Sequence, residues 1–185
     1  MLRPHSPSRQ APRRGVAVVE FAVVFGFVLV PMMLGLWEMG RAIHVQQIVA
    51  NAAREGARLA AQGRTVNQNG TPTEIKAQID PATNTTDLPN VKAAVYQSLI
   101  GGGLTGLRWD DVTVQFVFLS DTTSNTDPVQ GIKLQRFSVR VSVNYDDKVR
   151  WVNLGIVNPS TIAYTADWRM MVDDPFEVNT DIPTW

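Results

Sequence analysis

The chain has 185 residues and no cysteine, and its 17 basic and 17 acidic residues give a formal net charge of zero. The lack of cysteine excludes disulfides, thiol catalysis, thiolate zinc sites and iron–sulfur clusters. Residues 1–15 hold four basic residues and no acid, residues 16–62 three of each sign, and residues 63–185 ten basic and fourteen acidic residues. Because this last, largest part is acidic, we expect no nucleic acid partner, which would need clustered lysine and arginine.

An apolar segment follows the basic leader. Residues 16–37 read VAVVEFAVVFGFVLVPMMLGLW, with Glu20 as the single ionisable group. At about 1.5 Å per residue, a helix of this length spans about 33 Å, which is enough for a bilayer core. The four arginines before it predict, by the positive-inside rule, that residues 1–15 are cytoplasmic and that residues 64–185 lie outside.

A cleaved secretory signal is the alternative interpretation of this run, and it predicts a soluble product without residues 16–37. The run is longer than an ordinary signal core and no small-residue cleavage site ends it, so we favour a membrane anchor that stays. Pro31 lies deep in the run, where it removes a helical hydrogen bond and predicts a kink or local unwinding.

The helical pattern continues beyond Trp37. Small and apolar residues recur at spacings of three and four: Val45, Ile48, Val49, Ala52, Ala53, Gly56, Ala57 and Ala60. Small side chains let another element approach closely. Gly63 is predicted to end the helix, which then has about 47 residues and a length of about 70 Å, with residues 38–63 outside the membrane.

The rest of the chain has the pattern of a small α+β domain. Residues 64–87 are predicted to be mostly loop, with TEIKAQI able to form a short helical turn. A second helix is predicted over residues 88–100, capped by Asp87 and ended by the glycines of 101–103, with its apolar stripe formed by Leu88, Val91, Val95 and Leu99.

Three segments with alternating apolar residues follow, at 112–118, 137–145 and 162–170. Alternation of this kind predicts an antiparallel three-stranded sheet with one buried face, which the two helices are expected to cover. We expect the loop 120–135 to be exposed and mobile. The apolar connection 146–160 is compatible with three roles: packing on the domain, contact with lipid, and contact with a partner.

The sequence offers little catalytic chemistry. No cysteine or histidine occurs after His44, and the adjacent acids Asp110-Asp111, Asp146-Asp147 and Asp173-Asp174 border strands, where solvated turns are commoner than calcium sites. The three glycines lack the strand and the Lys-Ser/Thr of a phosphate-binding loop. We therefore predict no active site, metal, cofactor or small-molecule substrate, and an enzyme is the weakest hypothesis.

Glu20 needs a physical explanation, because a carboxylate in hydrocarbon costs about 2–3 kcal/mol on insertion scales. One interpretation is that its side chain reaches the cytoplasmic interface, only four residues into the run. The other starts from cleavage after Gly15, which would give Val16 a free amino group. Amino groups and Glu20 carboxylates of neighbouring subunits would then neutralise each other.

Two motifs resemble a known family. The stretch RRGVAVVEF, from Arg13 to Phe21, resembles a class III prepilin signal, in which a basic leader ends in glycine and is followed by four apolar residues, Glu and an aromatic. The helix after it resembles the TadE-like proteins of tight-adherence (Tad, or Flp) pilus systems, above all in EMGR at 38–41 and NAAREGAR at 51–58.

The resemblance implies a pilin-like α+β fold and a non-enzymatic minor pilin or pseudopilin of a Tad pilus assembly system, in the inner (cytoplasmic) membrane. It implies cleavage after Gly15 by a prepilin peptidase, Val16 as the mature N-terminus, and an assembly role for Glu20 and Phe21. The implied partners are the peptidase and other pilin or pseudopilin subunits. The family motif on the helix consists of Glu38, Arg41, Asn51, Arg54, Glu55, Gly56 and Arg58.

A second function stays open. In this alternative the chain is an unprocessed single-pass membrane protein whose outer domain is a scaffold or an adhesive binding module. The two hypotheses differ in testable ways, since only the first predicts cleavage after Gly15 and a need for Glu20.

Overall fold

One long helix dominates the N-terminal part of the protein. It consists of helix α1 (Arg14–Val24), a π-helical turn (Phe25–Leu29) and helix α2 (Val30–Ala61). The computed structural model describes the following residues: 14–66, 72–79, 82, 89–119, 127–145, 149 and 159–172. Pro31 lies two residues after the end of the wide π-turn, and its missing N–H gives a physical reason for the local unwinding that the sequence predicted there.

The long helix ends where the sequence predicted. Gln62 is its C-cap, and Gly63 follows with a φ of +63°, the left-handed conformation that glycine adopts without steric cost. The backbone N–H of Gly63 donates to the carbonyl of Ala60 at 3.0 Å. The part of this helix from Gly15 to Ala61 has 47 residues, which agrees with the predicted length of about 47 residues.

Three antiparallel strands form the main sheet, in the order β3-β4-β5: β3 is Val112–Phe118, β4 Arg136–Asn144 and β5 Thr161–Arg169. Most of their apolar positions alternate with polar ones and lie on the buried face, as predicted, but Trp168, predicted for that face, is 36% exposed near the end of β5. Phe116 forms an aromatic cluster on this face, its ring centroid 4.9 Å from that of Phe118 and 5.1 Å from that of Phe137.

Helix α3 (Val91–Gly101) confirms the second predicted helix but begins differently. Its N-cap is Asn90, whose Oδ1 accepts a hydrogen bond from the backbone N–H of Ala93 at 2.7 Å. The prediction of Asp87 as the cap was therefore wrong, and Asp87 and Leu88 lie outside the described residues. The remaining predicted stripe residues, Val91, Val95 and Leu99, are fully buried.

The segment after the long helix is more ordered than predicted. Strands β1 (Arg64–Val66) and β2 (Pro72–Glu74) pair antiparallel, and the N–H of Ile75 donates to the carbonyl of Gly63 at 3.1 Å. No helical turn forms among the described residues of TEIKAQI, because Ile75 is fully buried in the core and holds the chain extended. The prediction of a loop was thus wrong for these strands.

The described part of the 120–135 loop also departs from the prediction of full exposure. Pro128–Gln130 forms a 3₁₀ turn, and Pro128 is buried. Asp127 fixes this turn, because its Oδ1 accepts from the N–H of Ala77 at 2.9 Å and its Oδ2 lies 3.7 Å from Lys76 Nζ. The turn is therefore attached to the segment after β2.

Helices α2 and α3 cover the buried face of the sheet. Helix α2 packs against α3, β4 and β5, and α3 contacts β3 as well, so the domain has two layers with one core between them. The N–H of Met171 donates to the carbonyl of Ala61 at 2.7 Å, and Arg41 Nε donates to the carbonyl of Val149 at 3.2 Å. We call the end of the domain at Ala61 the distal end and the end at Arg41 the proximal end.

Candidate functional site

The inner half of the long helix, residues 15–37, carries the predicted processing and assembly residues. Its most apolar window of 18 residues has no buried residue, and the Phe27 side chain is 81% exposed. Large apolar side chains without protein cover are typical of helices that lie in lipid or pack on other subunits. The described part of the chain thus contains one helix long and apolar enough to cross a membrane.

Gly15 and Val16 lie at the start of this helix and are exposed. No heavy atom beyond its chain neighbours and its own helix backbone comes within 4 Å of a Cβ built on Gly15. The described residues therefore leave this peptide bond sterically open to a protease, although the bond is helical here and a protease would need it extended.

Glu20 and Phe21 are also exposed on the inner half. Glu20 follows Val16 by four residues, which places both on the same side of the helix. The Phe21 ring stacks on Phe25, with the ring centroids 6.0 Å apart. Glu20 therefore lies among exposed apolar side chains, where a neighbouring helix can reach its carboxylate.

Glu38 and Arg41 begin the outer half of the long helix, residues 38–61. Glu38 is only 5% exposed, although it follows directly on the exposed run. Arg41, three residues later and on the same side, is half-buried and holds Val149 through its hydrogen bond to that carbonyl. The EMGR motif therefore lies where the connection between β4 and β5 meets the helix at the proximal end.

The small residues of NAAREGAR form the packing face of the outer half. Ala52, Ala53 and Ala57 are fully buried. A Cβ built on Gly56 would lie 2.6 Å from Val95 Cγ2, closer than real contacts permit. Glycine is therefore required at position 56, because α3 approaches the helix backbone there.

The polar residues of the same motif lie on the outside. Arg54 Nη1 donates to Asn51 Oδ1 at 3.2 Å, and its Nη2 donates to the Tyr164 hydroxyl at 3.2 Å. The Arg54 guanidinium carbon lies 5.3 Å from the Tyr164 ring centroid. Arg54 thus joins the helix to β5 from the solvent side.

Glu55 and Arg58 form an ion pair within the helix. Arg58 Nη2 lies 2.7 Å from Glu55 Oε1, and Arg58 Nε lies 3.0 Å from Glu55 Oε2. The hydrogen bond from Arg58 lowers the pKa of the Glu55 carboxyl below its ordinary value, and Glu55 raises the pKa of Arg58. Because both side chains are exposed, the pair contributes little to stability.

The predicted site residues are thus spread along about 44 residues of one helix and do not converge on a common pocket. Sequence reasoning did not foresee that Glu38 is buried or that Arg54 reaches Tyr164, because both depend on the distant strands. Among the described residues, no three His, Cys, Asp or Glu side chains are grouped so as to hold a metal ion. The leader 1–13, Asp121, the acids at 146–147 and 173–174 and the apolar residues 151–157 lie outside the described residues.

Comparison with known families agrees with the motifs. The family model described as TadE-like protein matches residues 15–58, which include both halves of the helix and every motif residue from Glu20 to Arg58. No protein of curated function and no solved structure matches the chain. The chain carries the TadE-like segment that its sequence motifs predicted, over residues 15–58.

Proposed function

We propose that this protein is a minor pilin or pseudopilin-like component of a Tad (Flp-type) pilus assembly system, without catalytic activity. In this proposal residues 1–15 are a cytoplasmic leader and residues 16–37 span the inner membrane. Residues 38–63 continue the helix outside, and residues 64–185 form the outer domain. The observation that carries the proposal is one helix whose apolar half contains no buried residue and whose other half carries the packed domain.

Processing is the first step to test. In the proposal a prepilin peptidase cuts the bond after Gly15, and the mature chain begins at Val16. The exposure of both residues supports access, because no other described element covers them. The experiment is N-terminal sequencing and intact-mass measurement of the protein from membranes of its host, with and without the peptidase gene. A product that begins at Val16 only in the strain with the peptidase supports the proposal; a full-length chain in both strains contradicts it.

Assembly through Glu20 is the second step. The exposed carboxylate lies among apolar side chains, so in a helix bundle it needs a positive partner, and the Val16 amino group of a neighbouring subunit is the natural one. Glu20→Ala should abolish or strongly reduce piliation without lowering the amount of protein in the membrane. Val19→Ala, at the adjacent exposed position, is the matched control and should leave piliation unchanged. Normal piliation in Glu20→Ala would contradict the assembly role.

The alternative, an anchored scaffold or adhesive module, makes opposite predictions in both experiments. It expects the leader to be retained and Glu20→Ala to be tolerated, since the helix then serves only as an anchor. Loss of adhesion with normal piliation in a variant of the outer domain would favour it.

A further inference from the structure

The distal end of the domain carries an apolar and cationic surface that neither processing nor Glu20 uses. Three large apolar side chains are exposed there, Leu119 by 48%, Ile132 by 71% and Leu134 by 63%. Together with Lys133, Arg136 and Arg169 they line a groove of about 510 Å³. We call these six residues the distal surface. Exposed apolar groups with a polar rim are characteristic of interaction sites.

The apolar residues are held outward by a defined turn. The N–H of Leu134 donates to the carbonyl of Met170 at 3.0 Å, and the N–H of Gln135 donates to the carbonyl of Ile132 at 3.0 Å. The Gln135 side chain accepts from the Ile132 N–H, also at 3.0 Å. Leu134 has a φ of +63°, a conformation disfavoured for any residue with a side chain. Strain of this kind concentrates at functional positions.

The charges of the distal surface are also unfavourable in the isolated chain. Arg136 and Arg169 lie directly opposite each other on β4 and β5, and like charges in this position repel. Lys133 and both arginines form no ion pair with any described residue. Asp167 lies two pairs along, opposite Ser138 and on the same face of the sheet, and it forms no ion pair with either arginine. An anionic group on a partner would relieve this repulsion.

From these observations we propose that the distal surface binds an acidic polypeptide segment with large apolar side chains, on a partner protein outside the membrane. Carboxylates of the partner would pair with Arg136, Arg169 and Lys133, and its apolar side chains would cover Ile132 and Leu134. This goes beyond the proposed function, since it assigns a ligand chemistry to a different part of the molecule.

Anionic lipid of the anchoring membrane is the competing source of negative charge, and the geometry argues against it. The distal surface adjoins Ala61, because Leu134 is bonded to Met170 and Met171 to Ala61. From Trp37 to Ala61 the helix rises about 36 Å. The Debye length is only about 8 Å at physiological ionic strength, so the headgroups are too far away when the helix stands upright.

The test is site-specific photo-crosslinking of the full chain in host membranes. A benzophenone amino acid replaces Ile132 in one variant and Thr113, an exposed residue at the other end of the outer sheet face, in the control. We expect crosslinking at position 132 to a second polypeptide, and the attached peptide to be net acidic and to contain large apolar residues. The control position should give at least fivefold less product.

Charge reversal supplies the second readout. In the double variant Arg136→Glu/Arg169→Glu, two like charges still face each other, so the fold is perturbed little while attraction for an acidic segment becomes repulsion. We expect crosslinking at position 132 to fall at least fivefold. The milder pair Arg136→Gln/Arg169→Gln should give an intermediate loss, which keeps the test valid if the first variant is poorly produced.

Five results would overturn the proposal. Four are crosslinking at position 132 to lipid, crosslinking to a neutral or basic segment, a yield no higher than at position 113, and a yield unchanged by charge reversal. Residues 173–185 of this chain themselves contain four carboxylates. A crosslink to them within a single copy, detected as a product of monomer mass, would also overturn it. None of these outcomes depends on cleavage after Gly15 or on Glu20.

Discussion

The two halves of the long helix have the same backbone conformation and opposite surroundings. In the inner half, residues 15–37, large side chains such as Phe27 are exposed. In the outer half, residues 38–61, the buried side is built mainly from alanine and glycine, and α3 and the sheet pack directly on it. Side-chain size therefore distinguishes a helix surface that the domain covers from one that must be covered by lipid or by other subunits.

The TadE-like match over residues 15–58 contains both kinds of helix surface. The inner part is long and apolar enough to cross a membrane, and the NAAREGAR motif supplies the close packing that joins the domain to the helix. A motif that at first seems functional is thus largely architectural on its Ala/Gly side. Its polar side remains exposed, apart from the contact of Arg54 with Tyr164.

The largest expected difference is between two Phe→Ala substitutions. Phe137 is fully buried in the aromatic cluster, so Phe137→Ala should lower the free energy of unfolding of the outer domain by about 3–5 kcal/mol. Phe27→Ala makes the same chemical change on the exposed inner half and should leave the free energy of unfolding of the outer domain unchanged. Denaturant unfolding of the full chain in detergent, followed by tryptophan fluorescence, measures both. Equal effects would show that the Phe27 side chain is packed as closely as that of Phe137, and would contradict the exposure of the inner half.

Two Gly→Ala substitutions sharpen the comparison within the outer half. At Gly56 the new methyl would press on Val95, and overpacking costs about 1–3 kcal/mol, which exceeds the helix propensity gain of up to about 1 kcal/mol. At Gly40 no foreign atom lies within 4 Å, so Gly40→Ala should be neutral or stabilising. The midpoints of thermal unfolding of the two variants should therefore move in different directions. A Gly56→Ala variant as stable as Gly40→Ala would refute the close approach of α3.

The start of α3 gives a smaller effect. Asn90→Ala removes the acceptor for the Ala93 N–H and should cost about 1 kcal/mol of unfolding free energy. Asn90→Asp retains a capping oxygen and is the matched control. If both variants unfold at the wild-type denaturant concentration, Asn90 does not cap the helix.

The smallest effect concerns the exposed Glu55–Arg58 pair. A carboxyl with a lowered pKa adds stability above its unfolded-state pKa, and this is lost as the pH falls through its folded-state pKa. Arg58→Ala should return the Glu55 pKa to its ordinary value, with little change in stability because both side chains are exposed. Carboxyl NMR titration detects the shift, and Arg54→Ala should not produce it. A Glu55 pKa that stays low in Arg58→Ala would assign the shift to another group.

Most of the fold follows from local sequence patterns. The two-residue period of β3, β4 and β5 and the helical period of residues 45–60 predicted the sheet and the packing face, because burial enforces each period. Features that depend on tertiary contacts were missed. The segment after β2 is extended because the Ile75 side chain is buried in the core. Asn90 caps α3, whereas the sequence pattern had favoured Asp87.

The candidate site was predictable to a similar degree. The leader, Gly15, Glu20 and the helix motif were recognisable as residues, and the helical period placed Gly56 on the packing face. The sequence did not predict the contact of Arg54 with Tyr164, which depends on β5. The sequence singled out neither Ile132 nor Leu134 and predicted only that their loop, residues 120–135, is exposed and mobile. Their importance depends on the turn that holds them out and on the opposed arginines of β4 and β5.

The central claim is that the inner half lies in lipid while the packed domain lies outside. The chain has no cysteine, so single-cysteine variants at Phe27 and Thr113 can be labelled in spheroplasts with a membrane-impermeant maleimide. Both positions are exposed in the isolated chain. The account predicts rapid labelling at position 113 and labelling at position 27 only after denaturation. Equal labelling at both positions, or protection of position 113 until lysis, would contradict it.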